Sequence, residues 1–95
     1  MADLNELIHQ PARLRIMSAL TTLESGAKAD FTYLKKLLNL TDGNLGTHLL
    51  KLEEAGYLTQ EKIFVDRKPR TYLHATPEGR KAFKAHVRAL KEILE

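Results

Sequence analysis

The chain contains no cysteine and no apolar run long enough to span a membrane. Without cysteine the protein has no disulfide framework, no thiolate metal site and no nucleophilic thiol. No apolar stretch approaches the roughly 20 residues of a membrane helix, and the first thirty residues lack the apolar core of a signal peptide. These absences favour a cytoplasmic protein without a membrane partner.

Catalytic and cofactor motifs are also missing. Neither serine lies in a nucleophile elbow, and the glycines form no phosphate-binding loop. The adjacent acids Glu53 and Glu54 would point about 100° apart on a helix, so they do not form a carboxylate pair. Four histidines are present, and no two have the i, i+4 spacing of a helical metal site: His9, His48, His74 and His86. We therefore expect no enzymatic activity, no cofactor and no metal, with ligands shared across a dimer as the one remaining metal route.

The composition is that of one globular domain with an uneven charge distribution. The 95 residues are 43% apolar and 28% charged, which predicts a folded chain with a single core. Residues 62–91 hold nine Lys/Arg against two Asp/Glu, a net charge of +7 within a chain whose total is +3. This asymmetry indicates a polyanionic partner, although a solvated basic surface would give the same count.

Periodicity and capping residues predict three helices in the first half of the chain. Helix 1 spans Pro11–Leu23, since proline suits a first helical position. Helix 2 follows Thr32 as its N-cap, buries Leu34, Leu37 and Leu38, and ends at Asn39. Helix 3 spans Asp42–Ala55 behind an N-cap at Thr41, with Gly56 closing it in a left-handed conformation. Its inward stripe is Leu45, Leu49 and Leu52.

The second half predicts a β-hairpin and a long helix. Two strands rich in β-branched and aromatic residues, Glu61–Val65 and Arg70–Ala75, flank the basic turn at residues 66–69. The cap, first-turn proline and first-turn acid of Thr76-Pro77-Glu78 then begin helix 4, which reaches close to the C-terminus. The predicted fold class is therefore mainly α with a small hairpin, a winged helix-turn-helix in which residues 1–95 form one domain.

The order of these elements and several local motifs resemble a known family. Helices 2 and 3 are joined only by Asn39-Leu40-Thr41, the short connection of a helix-turn-helix. Five segments make the chain similar to the small winged-helix transcriptional regulators of the MarR/ArsR-like superfamily: Arg13–Ile16, Phe31–Lys35, Leu40–Leu45, His48–Leu58 and Thr76–Arg80. The resemblance covers about Pro11 to Val87.

The resemblance implies a sequence-specific homodimer bound to a double-stranded DNA operator. Helix 3 would read bases, and the hairpin, or wing, would lie along the backbone or in a neighbouring minor groove. The base readers it implies are Asn44, Thr47, His48 and Lys51, with Thr41 and Asp42 at the start of the helix. The wing contacts it implies are Arg67, Lys68, Arg70 and Thr71. Elementary chemistry agrees, because helix N-termini and Arg/Lys side chains bind phosphate while short polar side chains reach base edges.

Two further features bear on this expectation. Gly43 and Gly46 lie within helix 3, where each glycine costs about 1 kcal/mol against alanine, so either DNA or helix 2 approaches closely there. On helix 4 the apolar positions are spaced four, three and four residues apart, and we expect them to form a dimer seam together with the N-terminal apolar residues. The predicted interface, within residues 77–95 and 3–9, is Phe83, Val87, Leu90, Leu94, Leu4, Leu7 and Ile8. His86 is expected to be part of the same helix 4 interface.

Two other functions remain open from the sequence. The winged helix could serve as a protein–protein interaction module, although such modules usually lack the coherent basic surface that Lys51 and the wing supply. The regulator could also bind a small-molecule effector at its dimer interface, but no motif in the sequence indicates a ligand pocket.

Overall fold

The computed structural model describes residues 3–95, so the first two residues of the predicted domain lie outside the described part. Four helices and three strands follow one another along the described chain: α1 Pro11–Thr22, β1 Ala29–Asp30, α2 Phe31–Leu38, α3 Asp42–Glu54, β2 Leu58–Val65, β3 Lys68–Ala75 and α4 Pro77–Leu94. This is the expected winged helix-turn-helix, with α2 and α3 as its two helices and the β2–β3 hairpin as its wing. The predicted fold class is confirmed.

Helix ends lie where capping chemistry places them. The Thr41 hydroxyl accepts from the Asn44 amide at 3.1 Å, and the Thr76 hydroxyl accepts from the Gly79 amide at 2.9 Å. Both hydroxyls satisfy amides that have no partner within their helices. Gly56 follows α3 at φ +82°, the left-handed conformation predicted for it.

The start and buried face of helix 2 differ from the prediction. Asp30, not Thr32, is the N-cap, because its carboxylate accepts from the Thr32 amide at 2.7 Å and the Tyr33 amide at 3.3 Å. Leu34 and Leu38 are buried as expected, but Leu37 is 51% exposed. An eight-residue helix buries a narrow stripe, and residue 37 lies about 100° from residue 38.

The wing is longer and its turn tighter than predicted. Both strands extend to a two-residue turn at Asp66 and Arg67, which have φ of 52° and 65°. Two left-handed residues form a turn whose twist matches that of the strands, so Lys68 and Pro69 belong to β3 and not to a four-residue turn. The sheet also has a third strand, since β1 pairs with β3 in the order β1-β3-β2. A two-residue strand is too short to give a periodic signal.

The core lies between the three-helix unit and the base of the sheet. Its fully buried side chains come from every helix of that unit and from the sheet, and the predicted inward stripe of α3 is buried completely: Leu45, Leu49 and Leu52. Helix α4 crosses this unit and packs on α1 and β3. The buried residues of α4 are Gly79, His86 and Ala89, so the helix is attached to the domain along most of its length and its last turn is exposed.

The N-terminal segment belongs to this core, which corrects two predictions. Ile8 has no exposed surface, so it stabilises the domain and is not available to a second chain. His86 is 1% exposed, and its Nδ1 accepts from the Asn5 amide at 2.9 Å, so it lies inside the chain and not at a dimer seam. Burial, together with the nearby His9, lowers the pKa of His86, which favours its neutral form.

Candidate nucleic-acid interface

The side of α3 opposite its buried leucines is open to solvent and mostly polar, with Leu50, 52% exposed, as its large apolar residue. Three of the four predicted base readers are exposed there, namely Asn44, Thr47 and Lys51, and Thr41 and Asp42 are exposed at the start of the helix. The Asn44 side-chain amide makes no hydrogen bond within residues 3–95, whereas the Thr47 hydroxyl donates to the Gly43 carbonyl at 2.9 Å. The face therefore presents a free amide and a threonine whose methyl group and lone pairs remain available. Both groups suit recognition of base edges.

The first turn of α3 is electrostatically balanced. The Asp42 carboxylate accepts from Lys35 Nζ of α2 at 2.8 Å and remains largely exposed. An unpaired carboxylate would repel phosphate at this helix end, and Lys35 offsets that charge. Lys35 is not among the predicted site residues. Its ion pair with Asp42 joins two helices, and the residue spacing within either helix does not indicate such a contact.

His48 is half-buried and held by α1. Its Nδ1 accepts from Arg13 Nη1 at 3.2 Å, and Arg13 Nε donates to the Leu7 carbonyl at 2.6 Å. Desolvation by burial, followed by the charges of Arg13 and Lys51, lowers the pKa of His48 below its usual 6.5. Because Arg13 always donates, the neutral ring carries its proton on Nε2. His48 is therefore a positioned hydrogen-bond donor. Arg13, like Lys35, is a residue that the sequence analysis does not identify.

The two glycines of α3 stand in open space. A Cβ atom built on Gly43 or on Gly46 meets nothing within 4 Å. The alternative that helix 2 packs closely against them is therefore wrong. Neither glycine has a positive φ, so the backbone does not require glycine either. Because neither residue has a side chain, another molecule can approach the backbone of α3 closely at these two positions.

The predicted cations of the wing fall into two groups. Arg67 and Lys68 are exposed at its tip, whereas Arg70 donates to Asp30 at 3.2 Å. Burial opposes ionisation of Asp30, but the Thr32 and Tyr33 amides and the Arg70 guanidinium together hold its pKa below the usual 3.8. This pair ties the wing to the start of α2, with half-buried Thr71 beside it in a cavity of about 420 Å³. The freely available charges are therefore those of Arg67 and Lys68.

The predicted dimer residues differ in how far they are exposed. Leu4, Leu7, Phe83, Val87 and Leu90 are half-buried, while Leu94 is 81% exposed. Ile93, which was not predicted, is 55% exposed beside it. Phe83 packs against the core of its own chain. The described chain therefore leaves an uncovered apolar patch at the end of α4, formed by Leu90, Ile93 and Leu94.

A groove runs between α4 and the end of α1. It has a volume of about 480 Å³, an apolar floor and a strongly basic rim, and is lined by Thr21, Arg80, Phe83, Lys84, Val87, Arg88 and Lys91. Arg80 donates to the Leu23 carbonyl at 3.0 Å and so caps the end of α1.

No three His, Asp or Glu side chains within residues 3–95 cluster as metal ligands. No helix in the same part of the chain is long and apolar enough to cross a bilayer.

Comparison with known proteins places this geometry in a family. Residues 12–94 match the family model described as a winged helix DNA-binding domain. The chain is 39% identical over 82 residues to the uncharacterised protein MJ0432 of Methanocaldococcus jannaschii, covering 86% of each chain. A solved transcriptional regulator homologue from Pyrococcus horikoshii OT3 superposes with a TM-score of 0.85 at 34% identity, covering 95% of this chain and 86% of that one. A structure of NadR in complex with 4-hydroxyphenylacetate gives a TM-score of 0.73 at 27% identity, covering 95% of this chain and 61% of the other.

Proposed function

The chain belongs to the family of winged helix DNA-binding domains, and we propose that it is a sequence-specific transcriptional regulator that binds its operator as a homodimer. The observation that carries this proposal is the exposed polar face of α3 beside a wing with free cations. Both features combine base-reading groups with phosphate-binding groups on neighbouring elements. We propose no catalytic activity, since the exposed groups of this surface suit binding.

The first part of the proposal is that α3 reads base edges in the major groove. Asn44 offers a free amide that matches the donor and acceptor of adenine, and Thr47 and Lys51 lie along the same face. Thr41, Asp42 and His48 would position the helix, because each is already engaged within the protein. The open surface over Gly43 and Gly46 supports a close approach of the DNA backbone.

Asn44→Ala should reduce operator preference and leave non-specific binding nearly unchanged. Removal of a bidentate hydrogen-bond pair to a base costs about 1–3 kcal/mol, which corresponds to a loss of about five- to 150-fold on the operator alone. Fluorescence anisotropy with an operator duplex and a scrambled duplex measures the two affinities. The control is Glu54→Ala, an exposed change at the far end of the same helix that should alter neither value. Equal losses on both duplexes would show that Asn44 contacts the backbone.

The second part of the proposal is that the wing supplies affinity through phosphate. Arg67→Ala with Lys68→Ala should weaken binding to every duplex, and the slope of log affinity against log salt should flatten by about 0.9 for each phosphate that is no longer neutralised. Binding titrations at several salt concentrations measure that slope. The control double variant Lys81→Ala with Lys91→Ala removes the same charge from α4 and should keep the slope. An unchanged slope in the wing variant would contradict the assignment.

The third part of the proposal is that the end of α4 joins two copies. Leu90, Ile93 and Leu94 expose apolar surface whose removal from water contributes roughly 25 cal/mol per Å². The half-buried residues Leu4, Leu7, Phe83 and Val87 would extend the interface, within residues 77–95 and 3–9. A twofold dimer would present two α3 helices to an inverted repeat.

The groove between α1 and α4 favours a small-molecule effector as a second, compatible function. Its apolar floor and basic rim suit an amphipathic anion such as an aromatic carboxylate. A thermal-shift series with aromatic carboxylates and matched uncharged amides tests this chemistry. A rise in melting temperature with the carboxylates alone would support it. A protein–protein module is the weaker alternative, since the free wing cations favour a polyanion.

The experiment that tests the main proposal is selection of bound duplexes from a random pool. An inverted repeat with half-site centres about one helical turn, or a multiple of it, apart would support both sequence-specific binding and twofold assembly. A pool that yields no enriched sequence, combined with salt-sensitive binding, would reduce the function to non-specific DNA binding. Enrichment of a single half-site would contradict twofold assembly but would still support sequence-specific binding.

A further inference from the structure

An aromatic ring stands exposed near the tip of the wing. Phe64 is 77% exposed, although a phenylalanine is among the side chains most often buried. It pairs directly with Pro69 across the hairpin, one residue pair before the turn at Asp66 and Arg67. A lone exposed apolar residue needs no explanation, so the inference rests on what surrounds this one.

The ring shares its face of the hairpin with cationic and neutral residues. Side chains alternate along a strand and paired residues share a face, so Phe64 and Pro69 lie next to the pair of Lys62 and Thr71. Arg67 and Lys68 are exposed at the adjoining turn. We name Lys62, Phe64, Pro69 and Thr71 the wing-tip face. Lys62 is the cation of this face, and the adjoining turn adds the cation of Arg67 together with one exposed acid, Asp66.

The base of the hairpin is attached to α3. The backbone amide of Gln60 donates to one Glu53 carboxylate oxygen at 3.1 Å, and its side-chain amide donates to the other at 3.2 Å. Glu53 lies in the last turn of α3. Insertion of α3 into a major groove would therefore carry the wing to a defined place beside it.

A duplex groove matches the chemistry of the wing-tip face. Phosphates line the edges of the minor groove, while sugars and base edges form less polar walls and a floor. The cations suit the edges, and an aromatic ring suits the walls. An acidic protein surface would satisfy the cations but would not be aligned with α3.

We propose that Phe64 is a DNA-contacting residue whose ring packs in the minor groove beside the half-site read by α3. This inference rests on the proposed function and adds a contact that is apolar and therefore independent of counterion release. The exocyclic amino group of guanine projects into the minor groove. The ring should consequently favour flanking sequence that lacks this group.

The test compares operator duplexes that differ only in the minor groove of the flank. Inosine in place of guanine removes the 2-amino group and leaves the major-groove edge unchanged. Wild type should bind the inosine-flanked duplex about five- to tenfold more tightly than the guanine-flanked one. Phe64→Thr keeps a good strand residue, and it should abolish this preference without changing the salt slope. Phe64→Leu retains an apolar side chain and should keep most of the preference.

The matched control is Ile63→Thr, which alters the neighbouring residue on the opposite face of the same strand. It should keep the inosine preference, and circular dichroism should show all three variants folded. The inference is overturned if Phe64→Thr keeps the wild-type preference, or if it binds DNA normally but loses association with a second copy in sedimentation. If wild type binds no duplex at all, the proposed function fails as well. Tight wild-type binding without any inosine preference overturns the inference alone.

Discussion

Gly79→Ala should lower the free energy of unfolding by about 3 kcal/mol, the upper end of overpacking costs. A Cβ at this position would lie 1.9 Å from the Tyr57 carbonyl oxygen and 2.7 Å from its carbon. Backbone atoms cannot rotate away as a side chain can, so α4 or the start of the hairpin must shift. The same carbonyl accepts from the Thr76 amide at 3.1 Å, and a shift would weaken that bond too. Urea unfolding followed by circular dichroism measures the loss.

The same substitution at Gly46 provides the control. Its Cβ would project into open space within a helix interior, so Gly46→Ala should stabilise the fold by about 1 kcal/mol. Opposite signs for one chemical change would show that close approach at Gly79 causes the loss. Equal stability of Gly79→Ala and wild type would contradict the packing of α4 against Tyr57.

The second large effect is expected from charges placed at the end of α4. Ile93→Asp with Leu94→Asp should weaken self-association at least about a hundredfold, because each carboxylate would be desolvated at the proposed seam. Both side chains are exposed in the single chain, so the domain should stay folded. The loss of dimer should lower affinity for an inverted repeat about a hundredfold and leave affinity for one half-site nearly unchanged.

Sedimentation velocity and binding to one-half-site and two-half-site duplexes measure these effects. Leu37→Asp is the matched control, since it charges a leucine that is 51% exposed on α2, outside the proposed interface. It should leave self-association unchanged. A wild type that stays monomeric at micromolar concentration, or a doubly charged variant that stays dimeric, would remove the end of α4 from the interface.

Local chemistry determined most of the element map. Thr41 and Thr76 predict the starts of α3 and α4, because an N-cap hydroxyl accepts a hydrogen bond from a backbone amide only two or three residues later. The buried stripe of α3 follows from a 3.6-residue period that is present in the sequence alone. These signals, in order, were sufficient to predict a winged helix and the face of α3 that remains exposed.

Tertiary structure decided which of the polar residues that the sequence predicts to be exposed are paired with other side chains of the domain. Arg70 pairs with Asp30 across 40 residues, and Arg13 orients His48 across 35. Ile8 and His86 left the predicted interface because the N-terminal segment folds onto the core, where Asn5 meets a histidine 81 residues away. No local pattern encodes such contacts, since each depends on how whole elements pack. The sequence by itself determined the fold and the exposed face of α3, whereas the partners, burial and protonation of individual candidate residues arose only from long-range packing.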